Sequence, residues 1–324
     1  MMTNKLIRIL ATRVLLGILT LLAVSLTIFF SVGLLPGDYA TEILGQGATP
    51  DAVAHFRHEL QLDQPAMQRY LHWLLGLVQG DLGQSFSSSD GNVRPVRDIV
   101  GVRLMNSFFL AGVTALIAVP LAIGLGVLAA RFRGTWIDRI LNSTTLAAIS
   151  CPEFFMAYLL MLVLSVNFNL FYSLATIDPS MSLITKLQRI ILPVMTLILI
   201  ITAHMMRMTR AAILDVMTNP YIEMARCKGI STTGILLKHA LPNAWAPIVT
   251  VVAFSLSYLV VGVVVVEVAF AYPGIGQTMI DAVRTRDIPV IQACALIFAA
   301  TYIVVNFLAD VIAIATNPKL MYAR

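Results

Sequence analysis

Six stretches of this chain are long, apolar and almost free of charge, and they restrict the fold more than any other feature. They run Val14–Leu35, Ser107–Ala130, Ile140–Val166, Ile190–Met206, Ala246–Val268 and Val290–Ala315. About 20 apolar residues carry a helix across the hydrocarbon layer, and lipid offers no partner to an unpaired backbone group. Each stretch is therefore read as a spanning helix. Composition agrees: 58% of the 324 residues are hydrophobic and 12% are charged, with a mean hydropathy of +0.85. A soluble domain carries about 25% charged residues. The expected class is an all-α polytopic membrane protein with six transmembrane helices. The first stretch follows Lys5, Arg8 and Arg13, like a signal peptide. Its apolar run exceeds the usual 7–15 or so residues and no A-x-A site follows, so it is read as a retained helix.

The loops orient these spans. With the N-terminus inside, the cytoplasmic segments hold 13 of the 22 bases and only three acids, Asp138, Asp215 and Glu223. The opposite side holds nine bases and eleven acids. Excess Lys and Arg mark the cytoplasmic side, so both termini are expected there. The same asymmetry accounts for the net charge of +5 without invoking nucleic acid. The chain then divides into an N-terminal helix (1–35), a long outer loop with short helices (36–106), a five-helix core (107–315) and a cytoplasmic tail (316–324).

Common motifs for covalent chemistry are missing. No lysine follows a glycine, which removes the G-x-x-x-x-G-K-[ST] loop that cradles the phosphates of ATP. G-x-S-x-G and H-E-x-x-H are absent as well. Cys151, Cys227 and Cys294 form no C-x-x-C pair and read as single thiols. In the first outer loop, Asp51 to Leu77 has helical spacing, while Gly80-Asp81-Leu82-Gly83 and Ser87 to Gly91 read as turns. His55 and His58 sit one helical turn apart there, as a solvated face or a metal pair.

The inner loop 207–243 is the most informative segment. Asn219-Pro220 supplies an N-cap and a first-turn proline. Glu223 lies near the positive end of the helix dipole, and Arg226 and Lys228 lie near its negative end. Gly229 suits the left-handed residue that ends a helix. A second short helix is expected from Ser231 to before Pro242, marginal alone and therefore docked on something.

Tyr221-Ile222-Glu223-Met224-Ala225-Arg226-Cys227-Lys228-Gly229, followed by His239-Ala240-Leu241-Pro242-Asn243-Ala244, resembles the EAA loop of bacterial ABC importer permeases of the oligopeptide/dipeptide/nickel branch. Pro36-Gly37-Asp38, Leu62-Asp63-Gln64-Pro65, Trp73, Gly80 to Ser85, Pro95-Val96 and Arg103 to Ser107 are similar to that branch in the same order. So are Glu267, Phe270, Pro273-Gly274-Ile275-Gly276 and Arg286-Asp287-Ile288-Pro289, while Asn317-Pro318-Lys319 stands where Asp-Pro-Arg is usual. The resemblance implies a type I importer permease fold in the bacterial inner membrane. It further implies a second related permease, two cytoplasmic ATPases that hold ATP and Mg, and a periplasmic or lipid-anchored substrate-binding protein. No cofactor is implied in this chain itself. The ATPase-coupling residues would be Glu223, Ala225, Arg226, Lys228 and Gly229. The solute is left open among peptides, nickel chelates, glutathione and some sugars.

Glu153, Glu267 and Asp310 are the acids in or at the edges of spans. Charge in lipid is costly, so such residues face a bundle interior or an aqueous path. They are candidate pathway or gate residues, or are held structurally by backbone or Arg, and Glu267 has a third reading at the outer interface. Pro120, Pro152 and Pro193 are expected to interrupt helices two, three and four. Gly124 and Gly126 are expected to allow close helix approach, and Met205, Met206 and Met208 beside His204 to pack adaptably. Two rivals to an importer subunit are an ion-coupled secondary transporter using Glu153 or Asp310, and a membrane enzyme such as an intramembrane protease. Neither inverted repeats nor a Ser/His or paired-Asp arrangement is traceable.

Overall fold

The computed structural model describes residues 2–33, 49–51, 53–54, 64–85 and 94–316. His55 and His58, Pro36-Gly37-Asp38, Leu62-Asp63, Ser87 to Gly91 and Asn317 to Lys319 lie outside the described residues. Apart from one two-stranded ribbon, the described elements are helical. They are α1 (Met2–Gly33), α2 (Ala66–Val78), β1 (Gln84–Ser85), β2 (Arg94–Pro95), α3 (Val96–Arg131) and α4 (Trp136–Ser150). Then come α5 (Glu153–Leu160) with a π-helical continuation over Met161–Asn167, α6 (Leu183–Arg189), α7 (Ile191–Val216) and α8 (Pro220–Cys227). The chain closes with α9 (Thr232–Ile235), a π stretch over Leu236–Ala240, α10 (Leu241–Ala269), α11 (Ile275–Thr285) and α12 (Ile288–Thr316).

Five of these are long and apolar enough to cross a membrane by themselves. The third expected span, Ile140 to Val166, is not one straight helix: Trp136–Ser150 and Glu153–Asn167 meet at 105°. Pro152 explains the break, since the residue before a proline is driven out of the helical region; Cys151 sits at φ −91°, ψ 131°. Pro120 and Pro193 behave differently from expectation. Pro120 lies inside the unbroken α3, and Pro193 occupies the first turn of α7, where a missing N–H costs nothing.

The short helix expected to stop before Pro242 does not stop. Ser231 caps α9 by accepting from the Gly234 N–H at 3.2 Å, as expected, but the helix continues through Leu236–Ala240 into α10. Proline in a regular α-helix clashes with the carbonyl four residues back, and the wider π register just before Pro242 removes that conflict.

The chain forms two compact units. One contains residues 1–15, 107–273 and 301–324; the other contains 16–106 and 274–300. The core of the first is built on α7, whose buried residues Leu192, Leu197, Ile201 and Met205 pack with Leu110, Ala118, Ala157, Leu259 and Val263. Gly126 of α3 approaches α7 so closely that a Cβ would lie 2.8 Å from the Thr209 Cβ and Cγ2. Gly124 meets nothing within 4 Å and plays no such part.

The second unit joins the outer loops. Gly80 and Gly83 take φ of 81° and 83°, and the Asp81 carboxylate accepts from the Gly83 N–H at 2.9 Å, closing the expected turn. Ser85 then donates to the buried Asp287. The Gly80–Ser85 and Arg286–Pro289 segments thus meet, with Val96, Val100, Ile275, Ile291 and Cys294 as their apolar floor.

The candidate ATPase-coupling helix and the intramembrane acids

The helix α8 starts at Pro220 because proline needs no N–H partner in a first turn. Asn219 stands at the N-cap with extended backbone (φ −71°, ψ 145°), but its side chain makes no cap. Its Nδ2 instead donates to the Val216 carbonyl at 2.9 Å, tying the helix entry to the end of α7. At the other end, the Gly229 N–H donates to the Arg226 carbonyl at 2.9 Å and the Ile230 N–H to the Ala225 carbonyl at 3.2 Å. With Gly229 at φ 75°, these two bonds form a Schellman cap. The expected left-handed glycine is therefore in place.

Two faces follow. Ile222 and Ala225, three residues apart, are buried against Ile213, Val216, Ile235, Leu236, Ala244 and Ile248. Tyr221, Glu223, Met224, Arg226, Cys227 and Lys228 are exposed on the other side. Ala225 thus anchors the helix from beneath, whereas Glu223, Arg226 and Lys228 are displayed. No Cβ contact would form at Gly229 within 4 Å, so only its backbone conformation demands glycine.

A polar frame stands beside this segment that motif reading did not single out. Arg210 on α7 grips Asp138 with two hydrogen bonds of 2.8 Å, Nε to Oδ1 and Nη2 to Oδ2. Asp138 also accepts from the Gly134 N–H at 2.9 Å and from Asn142 Nδ2 at 2.6 Å. Arg131 at the end of α3 donates to Thr233 Oγ1 at 2.8 Å. The α3–α4 turn is therefore bonded both to the end of α7 and to the start of α9.

The three acids have different surroundings. Glu153 opens α5 and accepts from Tyr258 Oη at 2.9 Å; Gly262 leaves room for its carboxylate against α10, 3.4 Å from where a Cβ would stand. Tyr258 also lines a cavity of about 400 Å³ with Ile201, His204, Met208, Phe254 and Ser255. Glu267 is completely buried and accepts from Ser107 Oγ at 2.5 Å. Beyond it, burial and the Glu267 charge push the buried Tyr272 phenol up from its ordinary pKa. Asp310 is paired with Arg13 at 3.0 Å, the arrangement by which a charge on a spanning helix is held structurally. Among the described residues, no group of three His, Cys, Asp or Glu could hold a metal ion. Met205 and Met206 are fully buried packing residues.

Residues 122–322 match the model of the binding-protein-dependent transport system inner membrane component family. The chain belongs to that family. Residues 6–93 match the N-terminal model of the same transport systems. The glutathione transport system permease protein GsiC of Escherichia coli K12 is 38% identical over 309 residues, covering 95% of this chain and 97% of GsiC. GsiC of Salmonella choleraesuis is 37% identical over the same shares. An inward-facing structure of the MetNI methionine ABC transporter matches 68% of this chain and 96% of its own with a TM-score of 0.55 at 17% identity, which is a likeness of fold. This chain is therefore the multi-pass inner-membrane permease component of an ABC importer. Such a component is not itself the ATPase, and its family implies ATPase and substrate-binding partners. An ion-coupled secondary transporter is not favoured.

Proposed function

We propose that this permease carries peptides or a related small solute, with glutathione-like tripeptides the first class to try. The 38% identity to a glutathione permease over nearly the whole chain supports that choice. It would pair with a second, related permease, and each would meet one cytoplasmic ATPase. Both termini and residues 207–243 would face the cytoplasm.

One observation carries the coupling role: α8 is anchored by Ile222 and Ala225 and presents Tyr221, Glu223, Met224, Arg226 and Lys228 outward. A helix of eight residues has no independent stability in water, so its exposed side is held ready by the core beneath it. Swinging a two-state bundle from 1:99 to 99:1 takes about 5.5 kcal/mol of differential binding. ATP binding in the partner subunits is the source, and α8 is where the force enters. Its first recipients are α7, through Asn219 and Val216, and α10, through the continuous α9–α10 helix. Glu153 and Tyr258, inside the span region beside a cavity, are the proposed pathway contacts.

Gly229→Asp tests this reading. The variant should reach the membrane at normal abundance, because the cap lies outside the spans, while uptake and ATPase recruitment are lost. Normal uptake would refute the docking role.

A further inference from the structure

We propose that α2 is an in-plane membrane helix, embedded in the lipid leaflet at the C-terminal end of α1 by the face Met67, Leu71, Leu75 and Val78. This leaflet is the outer one in the proposed topology, but the geometry holds for either side.

Depth carries the argument. α1 crosses as an apolar span from Leu10 to Val32, with only 6% of its most apolar window buried by protein. The rest of this chain leaves its sides open to lipid. Tyr70 of α2 shares a 2.9 Å hydrogen bond with Ser25, seven residues inside the end of that span. At 1.5 Å per residue this is about 10 Å below the span's end. The Phe29 ring packs on Tyr70 at 5.5 Å and on Trp73 at 5.7 Å, and the Arg69 guanidinium lies 5.9 Å over it. Tyr, Trp and Arg at one level are the residues that settle at a membrane–water interface.

The faces of α2 agree with that depth. At 100° per residue, Trp73, Leu77, Tyr70 and Leu74 form an arc turned toward protein, and Met67, Val78, Leu71 and Leu75 continue the same apolar arc beyond it. The second group is between 51% and 81% exposed. Gln68, His72 and Gln79 follow on the far side, also exposed. A helix resting only on protein needs the first arc alone. The added apolar arc, exposed like Leu22, Leu26 and Phe30 of α1, matches a helix whose apolar side sinks 5–10 Å or so into the headgroup–acyl boundary.

The test uses the assembled transporter in vesicles of phosphatidylethanolamine and phosphatidylglycerol. Cys151, Cys227 and Cys294 are replaced by alanine, and single cysteines Leu71→Cys, Leu75→Cys and His72→Cys carry a bimane label. Labels at 71 and 75 should lose fluorescence to lipids brominated high on the acyl chain, while the label at 72 should be quenched by iodide from water. Iodide quenching of 71 and 75 equal to that of 72 would overturn the proposal. So would protection of 71 and 75 from both quenchers, which would place a protein partner on that face.

Discussion

Arg210 and Asp138, 72 residues apart, form a two-pronged ion pair with both bonds at 2.8 Å and the carboxylate almost wholly buried. Gly134 and Asn142 fill the carboxylate's remaining acceptor sites. A pair so placed is costly to break, because the surviving charge is left without a partner. Asp138→Ala should lower the stability of the detergent-purified transporter by about 3–5 kcal/mol. The double variant with Arg210→Leu should recover part of that loss. A melting series in which the two losses simply add would show that the pair carries no coupling.

Gly126 and Gly124 offer a matched comparison two residues apart. A methyl at Gly126 would lie 2.8 Å from Thr209 on α7, and one at Gly124 meets nothing within 4 Å. Gly126→Ala should therefore destabilise by about 1–3 kcal/mol, while Gly124→Ala is neutral. Equal melting temperatures for the two variants would mean that α3 and α7 are not in this contact.

Cys227 is a native reporter of sidedness, exposed at the end of α8, whereas Cys294 is buried. A membrane-impermeant maleimide should leave Cys227 unreacted in intact spheroplasts and label it in inside-out vesicles. Labelling from the outside would reverse the topology.

Much of this architecture was legible because it is local. Span length is a property of short windows, and the Gly229 cap follows from rules acting within five residues. Local rules also failed where a better partner was near: Asn219 donates to Val216 rather than capping α8, and Pro242 is absorbed by a π stretch rather than ending a helix. What stayed hidden is long-range. Ser107 with Glu267, Ser85 with Asp287, and Arg210 with Asp138 lie 160, 202 and 72 residues apart, and no periodicity relates them.

Glu153 and Tyr258 are the proposed contacts on the solute path. Glu153→Gln and Tyr258→Phe each remove part of one 2.9 Å contact without changing bulk. Each should lower uptake several-fold, about 1 kcal/mol for a single hydrogen bond, with membrane abundance unchanged. Unchanged uptake in both would assign the pair to packing alone.

The central claim is that the exposed side of α8 meets an ATPase, and photo-crosslinking reads it directly. Met224 is 62% exposed on that side and Ile222 is fully buried beneath it. A benzophenone amino acid at position 224 of the assembled transporter should yield an adduct of this chain with an ATPase subunit, identified by mass. An adduct-free chain, or adducts with lipid only, would contradict the account.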